Sequence, residues 1–317
     1  MAQPAVDLNH PKHNQPQNKP SMSVQLKKSW KKNKLVYFVL IPVFIHFAIF
    51  QGLPLIGSLF LSFMNWPIIG EPKFIGLANW KAVLHDEMAW QSLYNTTLFT
   101  LYYVVPTMAL GLILASFLHM GLWGGKFFKG VFFLPVVTSF VVIAGIWAWL
   151  FNGNDYGVVN YVLSWFGFES ISFFSSKKLA LLTLAFLSVF KVAGSTMIYY
   201  LAGLNSIPRH LYESASIDGA TGWKSFWLIT FPLLKPTHFY VAIFTTIGSF
   251  QVFDSAYLLT GGGPDYSTTT IVYYMYTVAF TSLRLGYASV LAYILFMIIL
   301  VISLIQRKYF GKEVSYY

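Results

Sequence analysis

A chain of 317 residues with 56% hydrophobic, 19% aromatic and only 10% charged residues is too apolar for a soluble fold, because soluble domains carry about a quarter charged residues. The absence of cysteine excludes disulfides, thiolate metal sites and thiol nucleophiles. The formal net charge of +10 lies mostly in short segments beside apolar runs, so it indicates membrane orientation rather than binding to nucleic acid.

The N-terminal segment, residues 1–34, is polar and rich in Pro, Asn and Gln before it becomes rich in lysine. Such a composition buries no core, so we predict a disordered basic cytoplasmic tail. A basic stretch before an apolar run also imitates a signal peptide. Here the run continues to about Met64 without a small-x-small cleavage site, which favours a retained first helix.

Six apolar runs follow, each near the roughly 20 residues that a helix needs to cross about 30 Å of hydrocarbon. They lie near residues 35–60, 93–118, 129–151, 179–203, 238–260 and 286–306. Four prolines inside or at the ends of these runs predict kinks or helix ends: Pro42, Pro54, Pro106 and Pro135. The prediction is an all-α integral membrane protein with six transmembrane helices over residues 35–310.

Basic residues in the short loops predict the orientation. One side carries the N-terminal lysines, the loops between spans two and three and between spans four and five, and the residues after span six. The basic residues of those later segments are Lys126, Lys129, Arg209, Lys224, Lys235, Arg307, Lys308 and Lys312. The positive-inside rule places this side in the cytoplasm. Both termini, including a tail at 311–317, are therefore predicted to be cytoplasmic.

The cytoplasmic loop at 206–236 has the local signals of two short helices. Ser206 is suited to cap a helix at its N-terminus. Pro208 is tolerated in the first turn of that helix, because the N–H that proline lacks would be unpaired there anyway. Gly219 suits the left-handed position that ends a helix, which predicts an end near Asp218. A second helix is predicted from about Thr221 to Leu228.

This loop resembles the signature of permeases of binding-protein-dependent ABC importers, in which Glu-Ala-Ala is followed by Gly and then by Ile-x-Leu-Pro at fixed offsets. The matching positions are Glu213, Ser214, Ala215, Gly219, Ile229, Phe231 and Pro232. Ser214 replaces Ala and Phe231 replaces Leu, and both keep a side chain of similar size class.

Further segments resemble the carbohydrate-uptake branch of that family, the maltose-type and glycerol-phosphate-type permeases. They are 76–80, 95–99, Leu134-Pro135, 259–264 and 286–289. The resemblance implies a multi-pass protein of the bacterial inner membrane, paired with a second homologous permease that is more often different than identical. It also implies two ATPase subunits, which bind the ATP and Mg, and an extracellular solute-binding protein.

The residues agree with that division of labour. Gly125-Lys126 and Gly311-Lys312 lack the flanking residues of a phosphate-binding loop, so no cofactor is expected on this chain and the permease is not expected to be an enzyme. By resemblance, the first loop helix sits in a groove of the ATPase. The predicted coupling residues are Glu213, Ser214, Ala215, Ser216, Asp218 and Gly219. The alternative is a solvated acidic turn.

Polar residues inside the spans are candidates for the translocation path. Only Lys191 and Asp254 carry charge well inside a span, where charges usually face a cavity or a partner. On span four, one face is predicted to carry Ser188, Lys191, Ser195 and Tyr199. On span five, a face is predicted to carry Gly248, Gln251 and Ser255, with Asp254 at its margin. Such residues also hydrogen-bond neighbouring helices, which is the alternative.

The position of Lys191 near the midplane leads to a hypothesis about the cargo, an acidic saccharide such as a uronate oligomer or a sugar phosphate. The alternative for Lys191 is a partner carboxylate or backbone carbonyls of the second permease. Two other functions stay open, a secondary transporter driven by an ion gradient and a membrane-embedded enzyme. The first lacks a visible internal repeat, and the second lacks paired carboxylates or His clusters at one depth.

Overall fold

The computed structural model describes residues 34–66, 70–121, 124–154 and 156–310. The predicted tails, except for Lys34, lie outside the described residues, as does the Gly311-Lys312 pair. The chain divides into two compact units, Met1–Gly57 and Ser58–Tyr317. In the first unit the described residues are helical throughout.

The first helix, α1 (Lys34–Ser62), corresponds to the predicted first span. It contains Pro42 and a π-helical turn at Ala48–Gly52. Pro54 has no N–H to donate, and the turn before it widens so that the N–H of Leu53 bonds to the carbonyl of Ala48. The hydrogen-bond ladder therefore adjusts around the proline without ending the helix.

A short extended segment follows α1. Strands β1 (Met64–Asn65) and β2 (Lys73–Phe74) pair antiparallel, and α2 (Ala78–Leu84) comes next. The Asn79 amide donates to the carbonyls of Ser62 (3.1 Å) and Met64 (2.9 Å). Gly286 lies so close that a Cβ there would stand 2.0 Å from the Met64 carbonyl oxygen. Segments 76–80 and 286–289 thus pack around the same strand.

The centre of the second unit is a pair of long helices. After α3 (Glu87–His119) the chain forms α4 (Gly125–Val137), α5 (Phe140–Leu150), α6 (Val158–Ser164) and α7 (Ala180–Ser206). At their C-terminal ends, His119 of α3 bonds Asn205 of α7 at 3.1 Å. The residues that precede α7 meet the first turns of α3 at the other end. Helices α3 and α7 therefore run parallel.

The predicted third span is not a single straight helix. Helices α4 and α5 together are long and apolar enough to span a membrane, but the chain bends by 100° between them. Pro135 does not end the helix, because it lies inside α4, which continues for two residues beyond it to Val137. Residues Thr138 and Ser139 between the helices are extended, with ψ of 138° and 137°.

The remaining elements are α8 (Arg209–Ile217), α9 (Gly222–Ser225), a π turn (Phe226–Thr230), α10 (Phe231–Leu233) and α11 (Lys235–Phe250). A π turn at Ala256–Thr260, α12 (Ile271–Tyr276) with a π turn at Thr277–Thr281, and α13 (Leu285–Phe310) follow. Four of the described helices, α1, α3, α7 and α13, are each long and apolar enough to cross a membrane, and the bent pair makes a fifth if it is one span. The run at 238–260 differs from its prediction, because α11 has only 16 residues, or about 24 Å.

Candidate coupling loop and translocation face

Helix α8 begins directly after α7, with only Ile207 and Pro208 between them. Its inner side, at Leu211 and Tyr212, packs against a cluster that includes Leu204 of α7 and Leu234. The Tyr212 hydroxyl also bonds the Thr230 hydroxyl at 3.0 Å. The helix is therefore fixed both to the end of α7 and to the segment that returns toward α11.

The end of α8 is a Schellman motif, as the position of Gly219 predicted. Gly219 has φ +74°, its N–H bonds the Ser216 carbonyl (3.2 Å), and the Ala220 N–H bonds the Ala215 carbonyl (2.8 Å). The helix ends at Ile217 with Asp218 as its C-cap. The predicted cap at the other end is wrong, because Ser206 belongs to α7 and its hydroxyl bonds the Gly203 carbonyl at 2.7 Å.

The second loop helix is longer than predicted. It begins at Gly222 and continues through the π turn to Leu233. The π turn before Pro232 accommodates its missing N–H, because the N–H of Phe231 bonds the carbonyl of Phe226. Pro236 stands in the first turn of α11, where no N–H is required.

The outward face of α8 carries most of the predicted coupling residues. Glu213, Ser214, Ser216, Asp218 and Gly219 are exposed, and Ala215 is half-buried. Glu213 forms an ion pair with Arg209 at 3.2 Å, which is exposed and contributes little stability.

Two exposed apolar residues beside this face were missed from the sequence. The exposed fraction of Ile217 is 87% and that of Trp223 is 74%. Periodicity gave no signal for them, because their helices, of 9 and 4 residues, are too short to show a regular apolar face. They make the loop surface partly apolar, which is the composition of a protein-binding surface.

On α7, the structure brings the predicted polar face together but gives two of its members partners. The Ser188 hydroxyl bonds the Leu184 carbonyl of its own helix at 2.8 Å. Lys191 donates to the backbone carbonyls of Pro135 (3.0 Å), Thr138 (3.2 Å) and Val136 (3.5 Å). Ser195 and Tyr199 are half-buried, and Tyr199 packs edge-on against Tyr240 of α11 with ring centroids 5.2 Å apart.

The predicted face on span five is wrong as a helical face. Helix α11 ends at Phe250, and Gln251 is its C-cap, so helical spacing does not continue to Ser255. Gly248 and Gln251 are exposed, whereas Ser255 is 2% exposed. Asp254 is exposed and lies near enough to Lys191 to attract it electrostatically. The break places Gln251 at the end of a helix rather than inside one.

At the opposite end of α7, a cleft of ≈ 490 Å³ lies between α3 and two loops. Its lining includes Gln91, Tyr94, Tyr102, Lys178 and Tyr266. Lys177 and Asp265 also line the cleft, and they form an exposed ion pair at 2.5 Å. The hydrogen bond from Lys177 and its charge lower the pKa of Asp265.

The residues that follow the glycine-rich turn at 261–264, beside this cleft, are fixed to α3. The Asn95 amide donates to the carbonyls of Tyr266 (2.8 Å) and Thr269 (3.0 Å). The Thr96 hydroxyl accepts the N–H of Ile271 at 2.8 Å. Both side chains are buried. The Asn-Thr pair in segment 95–99 thus anchors to α3 the residues that follow the turn.

A second polar cluster at this end is centred on Asp86, the N-cap of α3. Its carboxylate accepts the N–H groups of Met88 (2.9 Å) and Ala89 (3.2 Å) and the hydroxyls of Tyr274 (2.6 Å) and Tyr287. Partial desolvation raises the pKa of Asp86, but these four hydrogen bonds together hold it below its ordinary value. The carboxylate therefore joins α3, α12 and α13.

Replacing Asp86 by Asn should lower the stability of the subunit, because an amide gives the tyrosine hydroxyls fewer acceptor sites. We expect a loss of about 1–3 kcal/mol and a lower melting temperature of the purified protein in detergent. A folded-state pKa below the unfolded value means that this stabilisation is present above about pH 4 and is lost as pH falls through the folded pKa. Asp265→Asn is the matched control, since its ion pair is exposed. Equal melting temperatures for both variants would contradict the assignment.

Among the residues that the structure describes, no cluster of three or more His, Asp or Glu side chains has the geometry of a metal site.

Comparison with known proteins gives a consistent family. The sequence-family model described as binding-protein-dependent transport system inner membrane component matches residues 107–314. The probable ABC transporter permease protein YurN of Bacillus subtilis is 35% identical, over 89% of this chain and 99% of that protein. The sn-glycerol-3-phosphate transport system permease protein UgpA of Agrobacterium fabrum is 33% identical, over 90% and 97%.

A solved structure has the same fold. A chain of a bacterial ABC transporter involved in the import of the acidic polysaccharide alginate superposes with a TM-score of 0.80 at 26% identity. The superposition covers 92% of this chain and all of that one.

Proposed function

The chain belongs to the family of binding-protein-dependent transport system inner membrane components, and we propose that it is the permease subunit of an ATP-driven saccharide importer in the bacterial inner membrane. One observation supports the proposal above the others. An exposed helix, α8, is joined by two residues to the end of a long buried helix, α7, and ends in a rigid turn. A displacement of α8 by a partner is therefore transmitted to α7.

The proposed partner at α8 is an ATPase subunit, and the mode of binding is a helix in a groove. Ile217 supplies an exposed apolar side chain at the end of the helix, and Glu213 and Asp218 supply charge. Small side chains at Ser214, Ala215 and Ser216 permit close approach. In this proposal the ATP and Mg are held by the ATPase, and the permease is not a catalyst.

The proposed topology keeps six crossings with both termini in the cytoplasm. Parallel α3 and α7 require a return crossing between them, and the bent pair α4–α5 supplies it. Helix α11 starts beside the end of α7, where a Cβ on Gly203 would touch Thr237. Together with the following π turn it supplies the fifth crossing. Loop 206–236 then lies on the basic, cytoplasmic side.

The solute-binding protein is proposed to dock at the opposite end. There the fixed glycine-rich turn and the cleft lined by tyrosines face away from loop 206–236. A second permease, different from this chain, completes the path. We propose that Ser195 and Tyr199 on α7 and Gly248 and Gln251 at the end of α11 line this chain's half of it.

We propose an acidic saccharide as the cargo. The alginate importer carries an acidic polysaccharide by its description, and UgpA is named for a phosphate ester. Ser188 and Lys191 are adjacent to this path, but their donors are bonded to backbone carbonyls. The charge of Lys191 therefore acts on an anion at a distance.

The complex reconstituted in liposomes should import only with ATP, the ATPase and the binding protein present. We expect the permease and the ATPase to co-purify in mild detergent. Collapsing ion gradients with ionophores should leave uptake unchanged. Uptake that persists without ATP and stops with the ionophore would instead identify a secondary transporter.

The cargo is tested with uronate and neutral oligosaccharides of matched length. An acidic cargo predicts uptake of the uronates and at least about tenfold less uptake of the neutral sugars, a difference of about 1.4 kcal/mol. Lys191→Gln should reduce uronate uptake while leaving basal ATPase activity intact. Uptake restricted to neutral sugars would overturn the acidic cargo but not the importer.

A further inference from the structure

The bend between α4 and α5 leaves backbone carbonyls that need hydrogen-bond donors. A helix end leaves its last carbonyls without partners inside the helix, and hydrocarbon offers no water to satisfy them. At the end of α4, the N–H and the hydroxyl of Thr138 both bond the Leu134 carbonyl, at 3.2 Å and 2.8 Å. The carbonyls that follow Leu134 need other donors.

Lys191 of α7 supplies donors to three of them. Its ammonium has three N–H groups and lies 3.0 Å, 3.2 Å and 3.5 Å from the carbonyl oxygens of Pro135, Thr138 and Val136. It also lies 6.0 Å from the ring centre of Phe140, the first residue of α5. One side chain thus contacts the last turn of α4, the linking residues and the first residue of α5.

Close packing brings Lys191 to this position. One turn further along α7, a Cβ on Gly194 would stand 2.1 Å from the Phe132 carbonyl oxygen, so the backbones of α4 and α7 touch. The ammonium also lies at the C-terminal, partly negative end of α4, where a cation is favourable.

We propose that Lys191 is a positioning residue that stabilises the 100° bend between α4 and α5. The ammonium satisfies three carbonyls of the bend, and these hydrogen bonds hold α5 at its angle to α4. This role does not depend on the chemistry of the cargo. Without the lysine, those carbonyls are satisfied at the lowest free energy if the helix continues through residues 138 and 139. Helices α4 and α5 would then form one straight helix.

The bend angle is measurable as a distance. Phe128 in α4 and Trp149 in α5 are both exposed and lie about ten residues, or about 15 Å of helix, on either side of the bend. Their Cα atoms should be about 19 Å apart at 100° and about 30 Å apart in a straight helix. The chain has no cysteine, so cysteines introduced at these two positions give a single pair of spin labels.

The experiment is double electron–electron resonance on the complex with cysteine-free partner subunits and no cargo. Lys191→Met should lengthen the mean distance by 5 Å or more, or broaden its distribution to that extent. Lys191→Arg retains charge and donors and should stay near the parent distance. Lys129→Met removes an exposed lysine from α4, away from the bend, and should leave the distance unchanged.

A second variant covers the case in which Lys191→Met does not accumulate in the membrane. Gly194→Ala forces α7 away from Phe132 and so moves the ammonium from its acceptors, and it should lengthen the same distance. Parent distances in both variants that reach the membrane would overturn the proposal. If Lys191 only bound cargo or only stabilised the subunit, its loss would leave the angle between α4 and α5, and so the distance, unchanged.

Discussion

Gly219→Val should abolish most of the stimulation of ATPase activity by the cargo-loaded binding protein, and transport with it. Gly219 holds φ +74° at the end of α8, and an L-residue there costs at least about 1–2 kcal/mol, more when it is β-branched. A Cβ at this position meets nothing within 4 Å, so the effect is one of backbone conformation rather than of collision. We expect stimulation to fall roughly tenfold while the subunit still inserts.

Gly167→Val is a matched control for this prediction. Gly167 has φ +78°, an open Cβ position, and hydrogen bonds of the same motif, from its own N–H to the Ser164 carbonyl and from Phe168 to the Leu163 carbonyl. It follows α6, far in sequence from loop 206–236. Equal losses of stimulation in the two variants would mean that strain alone, and not coupling through α8, causes the defect.

The coupling loop could be predicted from sequence because its determinants are local. A left-handed glycine, an early proline and charge on a short helix act within a few residues of one another, and α8 ends within one residue of the predicted position. The prediction that Ser206 caps α8 is wrong because α7 continues through Ser206. Its hydroxyl donates a hydrogen bond to a carbonyl of α7 instead. Tertiary packing decided where the longer helix stopped.

The bend and the partners of the polar residues depend on contacts between distant segments. Lys191 meets carbonyls more than fifty positions earlier, and Asp86 meets hydroxyls near position 280. Hydropathy reports an apolar run but not its straightness, so the 100° bend and the end of α11 at Phe250 were invisible. An intramembrane lysine indicates that a partner exists, but it does not say which one.

Asn95→Asp should separate binding-protein stimulation from basal activity at the other end of the molecule. The substitution keeps the size of the side chain but replaces the donor to the Tyr266 and Thr269 carbonyls with an acceptor. Both carbonyls lose their donor and face an added oxygen, and the buried carbonyl of Thr269 loses about 1–3 kcal/mol. The residues that follow the glycine-rich turn should lose their anchor to α3, which leaves the turn free to move.

Because the proposed docking site for the binding protein includes this turn, stimulation should fall at least about tenfold, the equivalent of 1.4 kcal/mol. Basal ATPase activity should persist, since loop 206–236 lies at the opposite end of α7 and is unchanged. Thr97→Ala is the control: its exposed hydroxyl bonds only the Leu93 carbonyl of the same helix, so stimulation should remain near the parent value. ATPase activity is measured with and without cargo-loaded binding protein. If Asn95→Asp lowers basal and stimulated rates equally, the turn supports the fold of the whole subunit, and the binding protein docks elsewhere.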